Sequence, residues 1–332
     1  METVSFELIR KIYNHINRTE KITSLLSNRQ KWDRLTSALN VLEDTSWAIE
    51  YYLGNDYPSE FKGKYLYTYG LLQALFVQGD AVNSISIALF GRKIDFKTSY
   101  PKAYAVREMR NDVTGHPTQR GMSNYIYLAQ CSLRKDSFYY IKDDSKTEQS
   151  ENIDVDVYAA ISEMAACINE ILTNAVKELD EELEKYIEQH KRRKMVEIFN
   201  LLHYSKEKAL LDSVMGAWGY ESTKDMVRRC EEELILRYGT IDALDSYKYL
   251  LGEIHEIYSL IDEGLRQVDY PLCGQLEKYL LQLLFVKLEE LRDYCKETDE
   301  YFKNGGDAFA PTEEKTEVRI YFGDSEFDEP EE

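Results

Sequence analysis

Proline is scarce, with six in a chain of 332 residues, and glycine is thin at 16. That shortage favours long uninterrupted helices over a turn-rich β architecture, because proline ends a helix and glycine weakens one. Cysteine supplies no framework. Cys131, Cys167, Cys230, Cys273 and Cys295 are scattered with no Cys-x-x-Cys pair, which reads as reduced, mostly packed thiols in a cytosolic protein. Metal and nucleotide signatures are missing too. His255-Glu256 lacks the second histidine of a zincin, His15 and His203 stand alone on helical segments, and Gly63-Lys64 lacks the upstream glycine and following hydroxyl of a P-loop. No Gly-x-Ser-x-Gly or Cys/His arrangement suggests another hydrolase class. Apolar runs such as Leu280 to Val286 are interrupted and far short of a membrane span. Residues 1–18 show no basic region leading into an apolar one, so no signal peptide is expected and a soluble, cytoplasmic protein is. Excess positive charge is also absent. With 60 acids against 41 bases the net charge is −19, which counts against a broad RNA-coating role and leaves room for a small basic site in an acidic body.

What the chain has is helical periodicity. Residues 2–28 read as one amphipathic helix carrying Phe6, Ile9, Tyr13, Ile16 and Leu25. Residues 28–53 read as a second, with Trp32, Leu35, Leu39, Leu42 and Trp47 near helical spacing, ended by Gly54 to Pro58. A third covers 63–90, its stripe formed by Leu72, Leu75, Phe76, Gly79, Val82 and Leu89. Gly70 and Gly79 cost helix propensity there and are read as points where a neighbouring helix comes close. Later the period changes: Tyr125–Leu128 and Phe138–Ile141 are aromatic and β-branched and predict a small β-hairpin. Residues 143–152 read as a polar loop, and a long helix is expected from Ile153 into the heavily charged stretch 177–194. Helices are then expected over 195–210, 222–238, 240–268 and 273–302, with Gly216, Gly219, Gly239, Tyr270-Pro271 and Gly305-Gly306 at the breaks. Leu71–Val77 and Leu280–Val286 are nearly the same heptapeptide and read as two similar core helices, not a duplication. The fold class is therefore mainly α, divided into a helical domain with a hairpin over 1–190, a helical domain over 191–310 and an acidic tail over 311–332. Within the tail, Val318–Phe322 alternates and is suited to add a strand to a partner.

The stretch from Tyr104 to Pro117 organises the functional reading. It is expected to be a short helix, with Ser99 as cap, Pro101 in the first turn, and Gly115 followed by Pro117 at its end. Val106, Met109 and Val113 form a narrow apolar stripe. Arg110 borders it, about 40° from Val106, and His116 falls on the other flank if the helical turn continues. Arg107 and Glu108 are expected to face away. An arginine beside an apolar stripe has either a carboxylate partner or work to do.

RNA cleavage is one chemistry that Arg110 and His116 could support. RNA carries its own nucleophile, the 2′-hydroxyl, next to the phosphate it attacks. Cleavage then needs a base for that hydroxyl, an acid for the leaving 5′-oxygen, and positive charge on the crowded phosphorus. Histidine serves as base or acid near neutral pH, and arginine offers a charged fork that matches phosphate oxygens. Two chains meeting at the apolar stripe supply two histidines, enough for both proton transfers. Asn111 has a positioning role at most, and Asp112 lies where it can orient the imidazole. The alternative is structural: Arg110 paired with a buried carboxylate and His116 resting on a helix end. Arg92, Lys93, Lys97, Lys102 and Arg120 lie near the motif in sequence and line an RNA groove or a plain solvated loop. The run His190 to Lys194 reads as the solvated face of a charged helix.

Arg110-Asn111, three residues, then Gly115-His116 resembles the Arg-x(4–6)-His motif of the HEPN superfamily (higher eukaryotes and prokaryotes nucleotide-binding domains), including the polar residue after the Arg and the small one before the His. The likeness covers roughly residues 1–190 in layout and 110–116 in detail; residues 191–332 carry none. It implies a metal-free RNA endonuclease without cofactor, active as a homodimer through the motif helix, leaving a 2′,3′-cyclic phosphate. Such enzymes serve as toxins or in defence against phage. A restraining antitoxin or regulatory protein would engage the C-terminal domain or the acidic tail. One variant of the family is modified by its antitoxin on a tyrosine two residues past the motif His. Thr118 stands there in this chain, so that partner is not implied. Other members keep the fold without cleavage. A silent interaction module, or a regulator anchoring a phosphate ligand on Arg110, therefore stands beside the nuclease.

Overall fold

A polar side chain bonded to a free backbone N–H opens two of the first four helices. The structure, a computed structural model, describes residues 2–115, 123–211, 214–266 and 275–306. Ser5 accepts from the Leu8 N–H and opens α1 (Phe6–Ile16), which α2 (Thr19–Leu26) follows. One helix over 2–28 was expected; the chain instead breaks at Asn17 and Arg18. On a straight helix Ile16 and Leu25 would lie about 180° apart. The break lets both be buried. Asn28 caps α3 (Arg29–Gly54), and α4 (Phe61–Phe90) ends at Gly91, whose positive φ of 68° favours glycine. Leu35, Leu39 and Leu42 of α3 and Leu72, Leu75 and Val82 of α4 are at most 1% exposed. Each contributes about 1.5–3 kcal/mol by burial.

Ser99 is not the cap of the motif helix. It is the last residue of a short helix, α5 (Phe96–Ser99), which Asp95 caps by accepting from the Thr98 N–H. The motif helix α6 (Pro101–Arg110) starts on Pro101 after Tyr100, with no side-chain cap. A wider π turn then runs over Asn111–Gly115. The hairpin is present and gains a third strand. β1 (Asn124–Leu128), β2 (Ser137–Asp144) and β3 (Gln149–Asp156) form an antiparallel sheet in that order, with Tyr127 opposite Ile141 and Phe138 opposite Val155. β3 falls on the expected polar loop because its only branched apolar residues are Ile153 and Val155. Charged side chains on such an edge strand hinder pairing with other chains. In consequence α7 (Val157–Lys191) starts after Asp156, not at Ile153.

After a 3₁₀ turn at Met195–Phe199 come α8 (Leu202–Ala209), α9 (Val214–Tyr238), α10 (Asp245–Arg266) and α11 (Gln275–Lys303). The chain forms two compact units. The first comprises residues 1–185 with 227–252; the second comprises 186–226 with the described residues from 253 on. In the second unit Asp299 accepts from the Met195 and Val196 N–H groups, and Tyr220 donates to Asp262 at 2.8 Å. No helix among the described residues is long and apolar enough to cross a membrane. Tyr270-Pro271, Cys273 and the acidic tail lie outside the described residues.

Gly216 and Gly219 do not mark a break; both lie within α9. A Cβ on Gly219 would sit 2.5 Å from the Ala209 backbone nitrogen and 2.7 Å from the Ser205 carbonyl oxygen, so the glycine lets α8 approach closely. A Cβ on Gly70 would meet nothing within 4 Å, so the expected helix contact is absent there. Opposite results are expected in thermal or urea unfolding. Gly219→Ala destabilises by about 1–3 kcal/mol through backbone overlap, and Gly70→Ala stabilises by up to about 1 kcal/mol through helix propensity. Equal shifts for the two variants would contradict the packing described.

Among the described cysteines, Cys167, Cys230 and Cys295 are buried and Cys131 is exposed. Burial pushes the Cys167 thiol up to about 12, with the nearby Glu170 adding to the shift. Thiol reagents act on the thiolate. At pH 8, peptide mapping after brief alkylation is expected to show Cys131 modified and Cys167 protected until denaturant is added. Early modification of Cys167 would contradict its burial.

Candidate functional site

The apolar stripe of α6 is real and is spent on the protein's own core. Val106, Met109 and Val113 are 8%, 9% and 1% exposed and belong to the core cluster that includes α3, α4 and α7. Two copies therefore have no surface to share at that stripe, and an encounter between motifs has to use an exposed flank.

Arg110 stands on such a flank, half-buried, with its guanidinium over the Phe76 ring at 4.2 Å from the centroid. Its Nε and Nη2 both donate to the Gln73 side-chain oxygen, at 3.2 and 2.6 Å, and Nη1 donates to Asn111 Oδ1 at 3.3 Å. Two donors converging on one atom of Gln73 identify that atom as its oxygen. No carboxylate among the described residues lies within ion-pair distance of Arg110, so the buried-carboxylate alternative does not describe it. The fork is held by neutral acceptors that fix its direction, and no carboxylate among the described residues pairs with its charge. Gly115 is part of this arrangement: a Cβ there would lie 2.9 Å from Arg110 Nη1. That gives a physical reason for a small residue before the motif histidine.

Arg107 does not face away. Its side chain, 17% exposed, crosses to α4, where Nη1 donates to the Phe76 carbonyl at 2.9 Å and Nη2 pairs with Asp80 at 2.7 Å. Its guanidinium lies 4.3 Å from the Phe76 centroid. Gly79 makes this possible, since a Cβ there would meet Arg107 Nη1 at 2.4 Å. The glycine admits a guanidinium, not a whole helix. Two guanidiniums thus contact one ring, each contact contributing about 0.5–2 kcal/mol. Asp80 compensates the charge of Arg107; among the described residues Arg110 has no such partner.

Asn111 bridges Arg110 Nη1 to Glu108, donating to its Oε1 at 3.3 Å. Asp112 is 6% exposed, and Tyr140 of the sheet donates to its Oδ2 at 3.3 Å. The π turn changes the angle per residue beyond Arg110, so projection at 100° does not extend to position 116. His116 and Arg120 lie outside the described residues.

Two of the four basic residues upstream are held by acids. Arg92 pairs with Glu178 and stacks on Phe90, and Lys102 pairs with Glu163 at 2.6 Å, both acids being on α7. Lys93 and Lys97 are exposed without an ion pair among the described residues. In the run His190 to Lys194, His190 is 2% exposed against the Tyr186 and Phe302 rings, while Arg192 pairs with Glu188. His15 bonds Asp180 at 2.8 Å and His203 lies 3.4 Å from Glu207. Among the described residues no group of three or more His, Cys, Asp or Glu is arranged to hold a metal ion.

Sequence reasoning missed Gln73, Phe76 and Arg107 as parts of the site. The available signal was Gln73 itself, a polar residue between Leu72 and Ala74 in a largely apolar helix.

No family model matches this chain, and neither a curated protein nor a solved structure matches it.

Proposed function

We propose that the protein is a metal-independent RNA endonuclease of HEPN type, acting as a homodimer, in the role of a toxin or an effector of defence against phage. The observation that carries the reading is Arg110: a half-buried guanidinium fixed by Gln73, Asn111 and Phe76, with no carboxylate partner among the described residues. A fixed, uncompensated fork is suited to a phosphate oxygen and stabilises the charge that develops there. In the reaction, a histidine base takes the proton from the 2′-hydroxyl as the 2′-oxygen bonds to phosphorus. The bond from phosphorus to the 5′-oxygen breaks, and a second histidine protonates that oxygen. The products are a 2′,3′-cyclic phosphate and a 5′-hydroxyl. His116 from each of two copies supplies the base and the acid. Dilution is accordingly expected to lower the rate faster than in proportion to enzyme concentration, as followed with a fluorescent RNA. Strict proportionality down to concentrations where sizing finds only monomer would contradict the dimer.

A second reading is favoured by the same guanidinium together with the net charge of −19: a regulator that anchors a small phosphate ligand on Arg110. It calls for a thermal shift with a nucleotide, lost in Arg110→Ala, and no RNA cleavage. The nuclease reading calls for RNA fragments ending in cyclic phosphate in the presence of EDTA.

A further inference from the structure

We infer that the outward face of α4 is a track for unpaired RNA bases leading to Arg110, with Tyr69 as its stacking platform and the half-buried Tyr65 bracing it. The inference rests on the nuclease reading and adds the surface that orients the strand. In a chain this acidic, Phe61 to Gly79 contains no Asp or Glu, and the acid that follows on the same face, Asp80, is paired with Arg107. At 100° per residue, Lys62, Tyr65, Tyr69, Gln73 and Phe76 fall on one side of the helix, opposite the buried Leu71, Leu75 and Gln78. Lys62 and Gln73 are exposed, and Tyr69 is 40% exposed. Tyr65 packs edge-on against Tyr69, with centroids 5.8 Å apart, so the two rings brace each other. Tyr69 stands one helical turn, about 6 Å of rise, from Gln73, and Gln73 holds Arg110. Lys62 has no ion pair among the described residues. Lysine, tyrosines and an uncompensated guanidinium in one line form a cationic strip with aromatic faces.

Single-stranded RNA fits this strip on two counts. Its phosphates match Lys62 and Arg110, and its bases stack on tyrosine whatever their identity. A duplex keeps its bases paired and has none to give to Tyr69. The track therefore selects unpaired segments and places the phosphate beside a stacked base at Arg110.

The test uses the full chain carrying His116→Ala, so that RNA is bound without being cut, and fluorescence anisotropy with a labelled single strand and a labelled duplex. Adding Tyr69→Ala is expected to weaken single-strand binding by about fivefold or more, the alanine cost of one stacked base. Tyr69→Phe retains binding, and duplex binding does not change. The same substitution in the cleaving protein raises KM for single-stranded RNA, with sizing and melting temperature as in the parent. Cleavage by the parent with unchanged single-strand binding and KM in Tyr69→Ala would overturn the track and leave the nuclease standing. Loss of self-association in Tyr69→Ala, with RNA binding intact at equal dimer concentration, would assign this face to a second copy and overturn the inference. If the parent neither binds nor cuts RNA, the nuclease reading falls and takes the track with it.

Discussion

Replacing Arg110 with alanine is expected to lower RNA cleavage in EDTA by about 10²–10³-fold, the cost of removing one preorganised donor to a developing negative charge. The loss falls mainly on kcat. The charge on the phosphate oxygens grows as the 2′-oxygen bonds to phosphorus, so the guanidinium matters more in the transition state than in the bound strand. Arg110→Lys restores little, because a point charge cannot make the paired contacts of the fork with Gln73 and with phosphate. His116→Ala is expected to cost about 10²–10⁴-fold through loss of proton transfer. If the parent inhibits growth in cells, both variants are expected to relieve that inhibition. Melting curves that match the parent would show that the losses are chemical. If Arg110→Ala cuts RNA as fast as the parent, the guanidinium has no part in the chemistry.

The second large effect comes from one atom. Gln73→Glu keeps the size of the side chain and puts a carboxylate where the neutral amide oxygen now receives Arg110 Nε and Nη2. The pair that forms is bidentate and charge-assisted, and the carboxylate satisfies the guanidinium in place of a phosphate. Cleavage is expected to fall by about 10²-fold, close to the loss in Arg110→Ala, since both remove the available positive charge. The melting temperature stays level or rises. Gln73→Ala behaves differently. It frees the fork to move without neutralising it, and a smaller loss of about tenfold is expected. Steady-state cleavage of a short RNA by the three variants gives the order. If Gln73→Glu cleaves as well as the parent, the uncompensated charge is not what the reaction uses.

The fold was legible where periodicity was strong. Leu35, Leu39 and Leu42 repeat at helical spacing and are buried as the spacing implies, and α3 and α4 follow within a few residues. It failed where burial needed a change of direction or where a strand was polar. The break after Ile16 is invisible to a search for apolar repeats, because each half is amphipathic by itself. β3 carries too few apolar residues to register as a strand, yet Val155 opposite Phe138 anchors it. In the site, the position of Arg110 beside the stripe was readable from spacing alone. Its partners were not. Gln73 and Phe76 come from a helix more than thirty residues earlier, and only the tertiary pairing of α4 with α6 brings them near. Arg107 was misplaced because a helical wheel describes where a side chain leaves the backbone. It says nothing of where a long flexible one ends, and a glycine across the interface decides that.

The decisive measurement uses one RNA oligonucleotide prepared in two forms, identical except for a single 2′-deoxy sugar at the mapped cleavage position, each incubated with the parent protein in EDTA. The all-ribose strand is expected to break there, leaving a 2′,3′-cyclic phosphate and a 5′-hydroxyl, and the substituted strand to stay whole at that bond. Arg110→Ala should leave both intact. Cutting at the deoxy position, or cutting of the all-ribose strand that EDTA stops, would mean that the nucleophile is not the neighbouring hydroxyl poised against Arg110, and the account would be wrong at its centre.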